Sequence, residues 1–430
     1  MRLVPTGFWA SLALTLSPVI LLAGPFDWPQ WRGDARDGIC KETGLLSSWP
    51  KEGPPLVWKT AGLGGGYTTP AIADGRILGM SYQGEEEVLW AREEKTGKEL
   101  WKTKIASKGK VGHNEGSRCT PTVDGGVLYA VGLSGDLVCL NVQDGKTVWT
   151  KNYAKDFKGR MMSGWGFSES PLVDGDKLIC TPGGDDAAVV ALDKKTGNLL
   201  WSAKVPQGGG AGYASLVISE AGGIRQYITW LGKNIIGVSA KEGKLLWRYA
   251  GNANSTANIP TAIVKNDLVL SSTGYGGGAT SLLRLQADGK GGIEAKEVYK
   301  VTGEDPRNKI QNHHGGMVLL GDYAFFGMGH NNGIPCCLEL LTGKLVWKEE
   351  KRPGSGSAAM LYADGKLYFR NQDGTMNLLE ASPKGYNLIS SFKLPEPSGK
   401  PSWPHPVIAN GRLYIRDQDK LFCFSVKAAQ

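Results

Sequence analysis

Four of the five histidines, His113, His313, His314 and His405, sit in short stretches rich in Gly, Ser and Pro, which also hold Glu115, Arg118, Trp165, Glu169, Tyr213 and Trp403. An unperturbed imidazole titrates near neutral pH, so these groups can trade protons or hydrogen bonds there, and binding at such a site is expected to respond between about pH 5.5 and 7.5. Tryptophan and tyrosine add flat apolar faces with a polar tip. These residue types suit a small polar ligand, a peptide, or a metal held by imidazole. Other chemistries find weaker support. No Ser nucleophile elbow occurs, and GLGGGY (62–67) lacks the Lys-Ser/Thr of a phosphate loop. GYGGGA (274–279) runs into the strand-like SLLRLQ instead of a helix, and Asp185-Asp186 sits in a turn-like PGGDDAAVVAL.

The elements that must position these residues repeat. KTGKELW (95–101), QDGKTVW (143–149), KTGNLLW (195–201), KEGKLLW (241–247) and LTGKLVW (341–347) share a polar turn, a Gly and a closing Trp. Trp101, Trp149, Trp201 and Trp247 are spaced by 48, 52 and 46 residues; Trp347 follows after 100, with Tyr299 filling the gap. Such a period marks a repeat architecture. Thr-Gly or Asp-Gly between short apolar runs is a hairpin turn, and runs such as VVALD (189–193) and LVCLN (137–141) are too short for helices. Each Trp then opens a strand and faces a neighbouring repeat. Trp58, Trp101, Trp149, Trp201, Trp247, Tyr299 and Trp347 are therefore read as blade-docking residues.

A second repeated strand pair, seen in TTPAIADGRILGM (68–80), CTPTVDGGVLYAV (119–131), ESPLVDGDKLICT (169–181) and HPVIANGRLYIRD (405–417), brings the count to eight with four looser copies. The last copy has no closing strand, whereas PPLVWK (54–59) is a closing strand with no copy before it. Joining them shuts a ring and removes open sheet edges. The expected fold is all-β: an eight-bladed β-propeller of four-stranded antiparallel blades, closed by an N-terminal strand. In such a ring the loops entering the innermost strands gather at one mouth of the central channel. The histidine-bearing stretches are those loops. Their side chains either bind a ligand or plug the channel, bonding to one another and to trapped water.

The repeated xxTGKxxW pattern resembles the tryptophan-docked propellers of the pyrroloquinoline quinone (PQQ) dehydrogenases. It is equally similar to the cofactor-free PQQ-like propellers, which include the BamB type of the outer-membrane assembly machinery. The resemblance covers roughly residues 54 to 426, and WPQWRG (28–33), YASLVI (213–218) and WPHPVIANGRLY (403–414) resemble exported PQQ-like repeat proteins. It implies a non-catalytic envelope scaffold for a protein, peptide or small ligand, or else a PQQ- and calcium-dependent oxidoreductase. For the enzyme it implies a vicinal disulfide, for which Cys336-Cys337 is the candidate; the alternative is that Cys337 or Leu338 simply begins a strand. No triad of Asp, Asn and Glu aligns onto a calcium-and-base pattern, so no cofactor is expected.

Residues 1–24 read as a secretory signal, with Arg2 before an uncharged apolar run from Phe8 to Ala23, the alternative being an uncleaved anchor; no cysteine lies near its end, so a lipoprotein signal is not expected. The expected location is the periplasm or cell envelope, with no transmembrane domain after signal removal. Residues 25–53 form an irregular belt across the ring, and 54–430 the propeller. The formal charge is +8 without any block of Lys or Arg, which argues against nucleic acid. Seven cysteines show no C-x-x-C pair, excluding the usual zinc and haem motifs.

Overall fold

A computed structural model describes residues 24–109, 111, 113–114, 116–303 and 309–428. The expected signal therefore falls almost wholly outside the described residues, as does Glu115. Eight antiparallel four-stranded units follow one another around a ring. Blade 1 comprises Ala71–Ala73, Arg76–Gln83, Glu86–Glu93 and Glu99–Ser107. Blades 2 to 7 repeat the plan from Thr122–Asp124, Leu172–Asp174, Val217–Ser219, Ile263–Lys265, Met317–Leu320 and Ala358–Ala363. Blade 8 is composite: Val407–Ala409, Arg412–Asp417 and Lys420–Ser425 are completed by Leu56–Thr60, with Trp58 opposite Cys423. The eight-bladed, four-stranded propeller closed by an N-terminal strand is thus the fold of the chain.

The core is a ring of apolar layers between neighbouring blades. One layer joins Leu78, Leu89, Leu128 and Leu140 of blades 1 and 2, another Ile179, Val189, Ile236 and Val238 of blades 3 and 4, and so on around. Strand length and pattern follow from this: the middle strands are buried on both faces and read as unbroken apolar runs, while the outermost strands alternate.

The recurring Trp locks the layers. It follows a register shift in its strand, as between Ala91–Trp101 and Arg92–Glu99, which aims the ring at the next blade. Trp101 donates its Nε1 hydrogen to the Val142 carbonyl at 2.9 Å and lies flat on Gly145. Gly145 is required twice over: its φ is +69°, and a Cβ would strike the indole at 2.5 Å. Trp58, Trp149 and Trp347 repeat the bond to Glu94, Lys194 and Ser382. Trp201 rests on Gly243 and Tyr299 on Gly343.

Two positions depart from the rule. Trp247 does not bond across to its neighbour; its Nε1 donates to Gln226 within its own blade, at 2.6 Å, where blade 5 has a long hairpin (Thr280–Ala287, Ile293–Val301) in place of the Thr-Gly turn. In blade 7 the repeat position is Ser390, opposite Leu378 after the same register shift. Trp49, from far upstream, fills the space: its backbone N–H bonds Ser390 Oγ at 2.8 Å, and its ring meets Tyr368 and Phe392.

The adjacent cysteines form no vicinal disulfide. Cys336 and Cys337 are free thiols inside the strand Ile334–Glu339. Alternation sends Cys336 into the blade 5–6 layer and Cys337 into the blade 6–7 layer. Among the described residues, no helix is long and apolar enough to cross a membrane.

Candidate functional site

Residues 25–53 cross the ring and touch every blade. Trp28 pairs with Ile72, the Pro29 carbonyl accepts from Val123, and Trp31 Nε1 donates to Thr261 Oγ1 at 2.9 Å. Arg36 donates to the carbonyls of Ser170, Pro171 and Leu216, and Arg32 to that of Met317. Ile39–Cys40 then adds a parallel strand to blade 7, and Leu46 N–H meets Val426. Burial lowers both guanidinium pKa values to about 10, so both stay charged at neutral pH, solvated by carbonyl dipoles.

Above this crossing, the loops that enter the inner strands enclose a cavity of about 210 Å³. Eight of the ten residues singled out from the sequence line it: His113, Arg118, Trp165, Tyr213, His313, His314, Trp403 and His405. They come from loops entering blades 2, 3, 4, 6 and 8, so only ring closure brings them together. Pro-, Gly- and Asn-bearing loops such as NSTANIP (254–260) suit this role, because side chains such as Asn254 and Asn258 tie up the loop's own backbone groups.

Glu169 is not at the mouth. It turns into the blade 2–3 layer, is fully buried, accepts from Tyr153 Oη at 2.7 Å and Thr181 N–H at 2.6 Å, and its pKa is raised by burial. Its charge bears on buried Arg36, and its role there is structural.

His313, His314 and His405 also differ from expectation, because they do not titrate near neutrality. Burial, then the proximity of His330, holds His313 down at about 3; burial, then Arg32, does the same for His405. His314 lies well below its ordinary value, from burial first and then its neighbours. All three are neutral at physiological pH and act as hydrogen-bond partners only. His313 Nδ1 meets Ser357 Oγ at 2.5 Å, and its Nε2 meets Tyr275 Oη at 2.9 Å. His405 Nε2 reaches the His314 carbonyl at 3.1 Å, its backbone N–H bonds Thr69 Oγ1, and its ring lies 4.5 Å from Trp31.

Sequence reasoning passed over Trp31, Tyr67 and Tyr275, all of which line the cavity. Tyr67 stands in one of the quoted mouth loops and could have been found there. Tyr275 lay in GYGGGA (274–279), set aside because a strand-like run follows it; it holds φ +64° and meets His330 edge-on at 4.5 Å. Trp31 had no signal, since its place over the channel depends on how the belt threads. Aromatic faces therefore dominate: Tyr67 against Trp403 at 4.7 Å, His314 against Trp403 at 4.8 Å, and Trp165 against Tyr213 at 6.1 Å.

Among the described residues no carboxylate lines the cavity, and no group of three His, Cys, Asp or Glu could hold a metal. Calcium takes six to eight oxygen ligands, commonly including carboxylates. With Cys336 and Cys337 inside blade 6 and away from the cavity, the described residues do not fit a calcium-bound quinone. What the site offers is stacking, hydrogen bonds from neutral imidazoles, and one guanidinium.

A ring of eight four-stranded blades docked by tryptophans defines a PQQ-like β-propeller. The family described as outer membrane protein assembly factor BamB matches residues 85–349, and the chain belongs to that family. BamB of Xanthomonas campestris pv. campestris is 35% identical over 113 residues, 25% of this chain and 25% of that protein. The quinoprotein alcohol dehydrogenase PedH of Pseudomonas putida is 29% identical over 154 residues, 34% of this chain and 24% of that protein. The matched stretches thus span about a quarter of the length of these curated relatives. In three dimensions the chain is similar to BamB from Moraxella catarrhalis, with TM-score 0.55, 13% identity and coverage of 82% of this chain and 94% of that one. It is also similar to the quinohemoprotein alcohol dehydrogenase of Comamonas testosteroni, with TM-score 0.65, 15% identity and coverage of 94% and 81%. At these identities the structural likeness speaks for the fold alone.

Proposed function

We propose that the protein is an exported, non-catalytic propeller of the cell envelope that binds a peptide, protein segment or small ligand at the mouth of its channel. Family membership supports the envelope location and a protein partner of the outer-membrane assembly kind. The observation that carries the binding role is the cavity itself. Loops from opposite sides of the ring converge on it with aromatic faces and neutral imidazoles, and without a carboxylate among the described lining residues to act as base or calcium ligand.

The quinone-dependent alternative makes a different demand, and one experiment separates the two. The purified full chain is titrated calorimetrically with PQQ and calcium and assayed for dye-linked alcohol oxidation. The expected result is neither binding heat nor dye reduction, while a fragment screen by thermal shift yields binders that Trp403→Ala and His313→Ala weaken. Micromolar affinity for PQQ with turnover would overturn the reading; binders unaffected by these alanines would move the working surface to the outer rim.

A further inference from the structure

We infer that the mouth cavity selects a small aromatic acid, one or two fused rings bearing a carboxylate, with the ring among the tryptophans and tyrosines and the charge toward Arg118. Resting on the ligand-binding reading of this cavity, the inference adds the size and the sign of charge of what is bound.

Size follows from volume. The cavity holds about 210 Å³. An apolar protein cavity of roughly 150 Å³ accepts benzene, so there is room here for a substituted ring or a bicycle. The walls set the shape. Trp31, Trp165, Trp403, Tyr67 and Tyr275 present rings, and aromatic surfaces prefer offset or edge contacts with another ring over contact with a flexible chain.

Charge follows from what surrounds the space. Arg118 is the one permanently charged side chain among the described lining residues. It donates to the Asn114 and Gly116 carbonyls of its own loop, both at 2.8 Å, and its guanidinium lies 5.4 Å from the centre of the Tyr67 ring. None of these neutralises it, and no carboxylate pairs with it among the described residues. Glu87 acts on it only weakly from behind the loop: it is buried, bonded to Ser117 Oγ and Leu133 N–H, and its pKa is raised to about 7 by burial. Behind the lining, Arg32 and Arg370 lie close enough to His405 to bear on its titration. The field in the cavity is therefore positive.

A cationic ligand would meet only like charge. A neutral one would desolvate Arg118 without replacing the lost water. A carboxylate answers the guanidinium with charge-assisted hydrogen bonds. His314 supplies a second unmet demand: it lines the cavity, and its buried Nε2 has no hydrogen-bond partner.

The test uses three ligands of nearly one shape. Purified full-length protein is titrated calorimetrically with benzoate, benzamide and benzylamine at about pH 8, where the first is anionic and the last mostly cationic. Benzoate is expected to bind at least about tenfold tighter than benzamide, and benzylamine more weakly than either. In Arg118→Gln, benzoate should fall to within about threefold of benzamide, whose own affinity stays put. Equal binding of all three, or a preference for benzylamine, overturns the charge assignment and leaves the cavity reading standing. Binding of none of them overturns both. The wild-type comparison decides the sign even if the variant does not fold.

Discussion

The outer rim and the channel mouth are built from the same eight repeats by opposite rules. At the rim, one residue does one job again and again: Trp58, Trp101, Trp149 and Trp347 each donate to a carbonyl in the turn of the next blade. At the mouth no two loops agree. Blade 2 brings Arg118, blade 3 Trp165, blade 6 a His-His pair and blade 8 a Trp and a His. Repetition marks what holds the ring together. Departure from repetition marks where the ring is free to be specific, because a loop facing a cavity is not bound to satisfy its neighbour.

The sharpest way to break this contrast is to remove the segment that serves both regions. Deleting residues 25–60 takes away the closing strand at Trp58, the Trp49 that fills blade 7, and the Arg32–Arg36 crossing beneath the cavity. The expected result is loss of the cooperative thermal transition by circular dichroism. A truncated chain melting like the parent would mean the ring does not depend on closure.

Next in size is a rim tryptophan against a mouth tryptophan. Trp101→Ala should cost about 3–5 kcal/mol, through a cavity between blades 1 and 2 and a lost bond to Val142. Trp403→Ala removes a half-buried ring bonded to Gln372 and should cost about 1 kcal/mol, yet abolish benzoate binding. Denaturant melts and calorimetry on the two variants read the difference. A Trp403 variant that binds normally would strip the mouth of its role.

Acid gives a milder separation. His313 and His405 are held near 3 in the fold against 6.5 when free. The unfolded chain therefore takes up protons that the fold refuses, and stability falls as pH drops from 6.5 toward 3. Glu87 works in the other direction: its pKa is raised from 4.5 to about 7, so its contribution is present below 4.5 and lost as pH rises through 7. Melting temperatures of His405→Gln and Glu87→Gln should each flatten one limb of the pH–stability curve. If both limbs keep their slopes, these groups are not buried as described.

The smallest effect is expected where the rim faces water. Leu100 and Val148 precede their tryptophans and are 43% and 52% exposed. Leu100→Gln should shift stability by no more than about 0.5 kcal/mol. A larger loss in a denaturant melt would show that the exposed stripe is covered.

The rim was legible in the sequence because its physics is local and periodic. A Thr-Gly turn needs positive φ at the Gly, and the Trp that closes each motif needs the bare Gly of the next blade's turn to lie on, so both leave a mark every 46 to 52 residues. Eight blades, four strands each, and closure at Trp58 follow from that mark together with the second repeated strand pair. The mouth was legible only in part. Loop position picked out His313, His314, Trp403, His405 and Arg118, since every loop entering an inner strand must face the channel. It also picked out Glu169, which lies in such a loop but turns inward to Tyr153 and Thr181. Direction within a loop depends on contacts between blades, and those are set by tertiary structure. So is the charge state of the histidines, because burial depth is a property of the closed ring. Trp49 in blade 7 and Trp31 over the channel belong to the same class: a chain segment without a period can be placed only by the surfaces it fills.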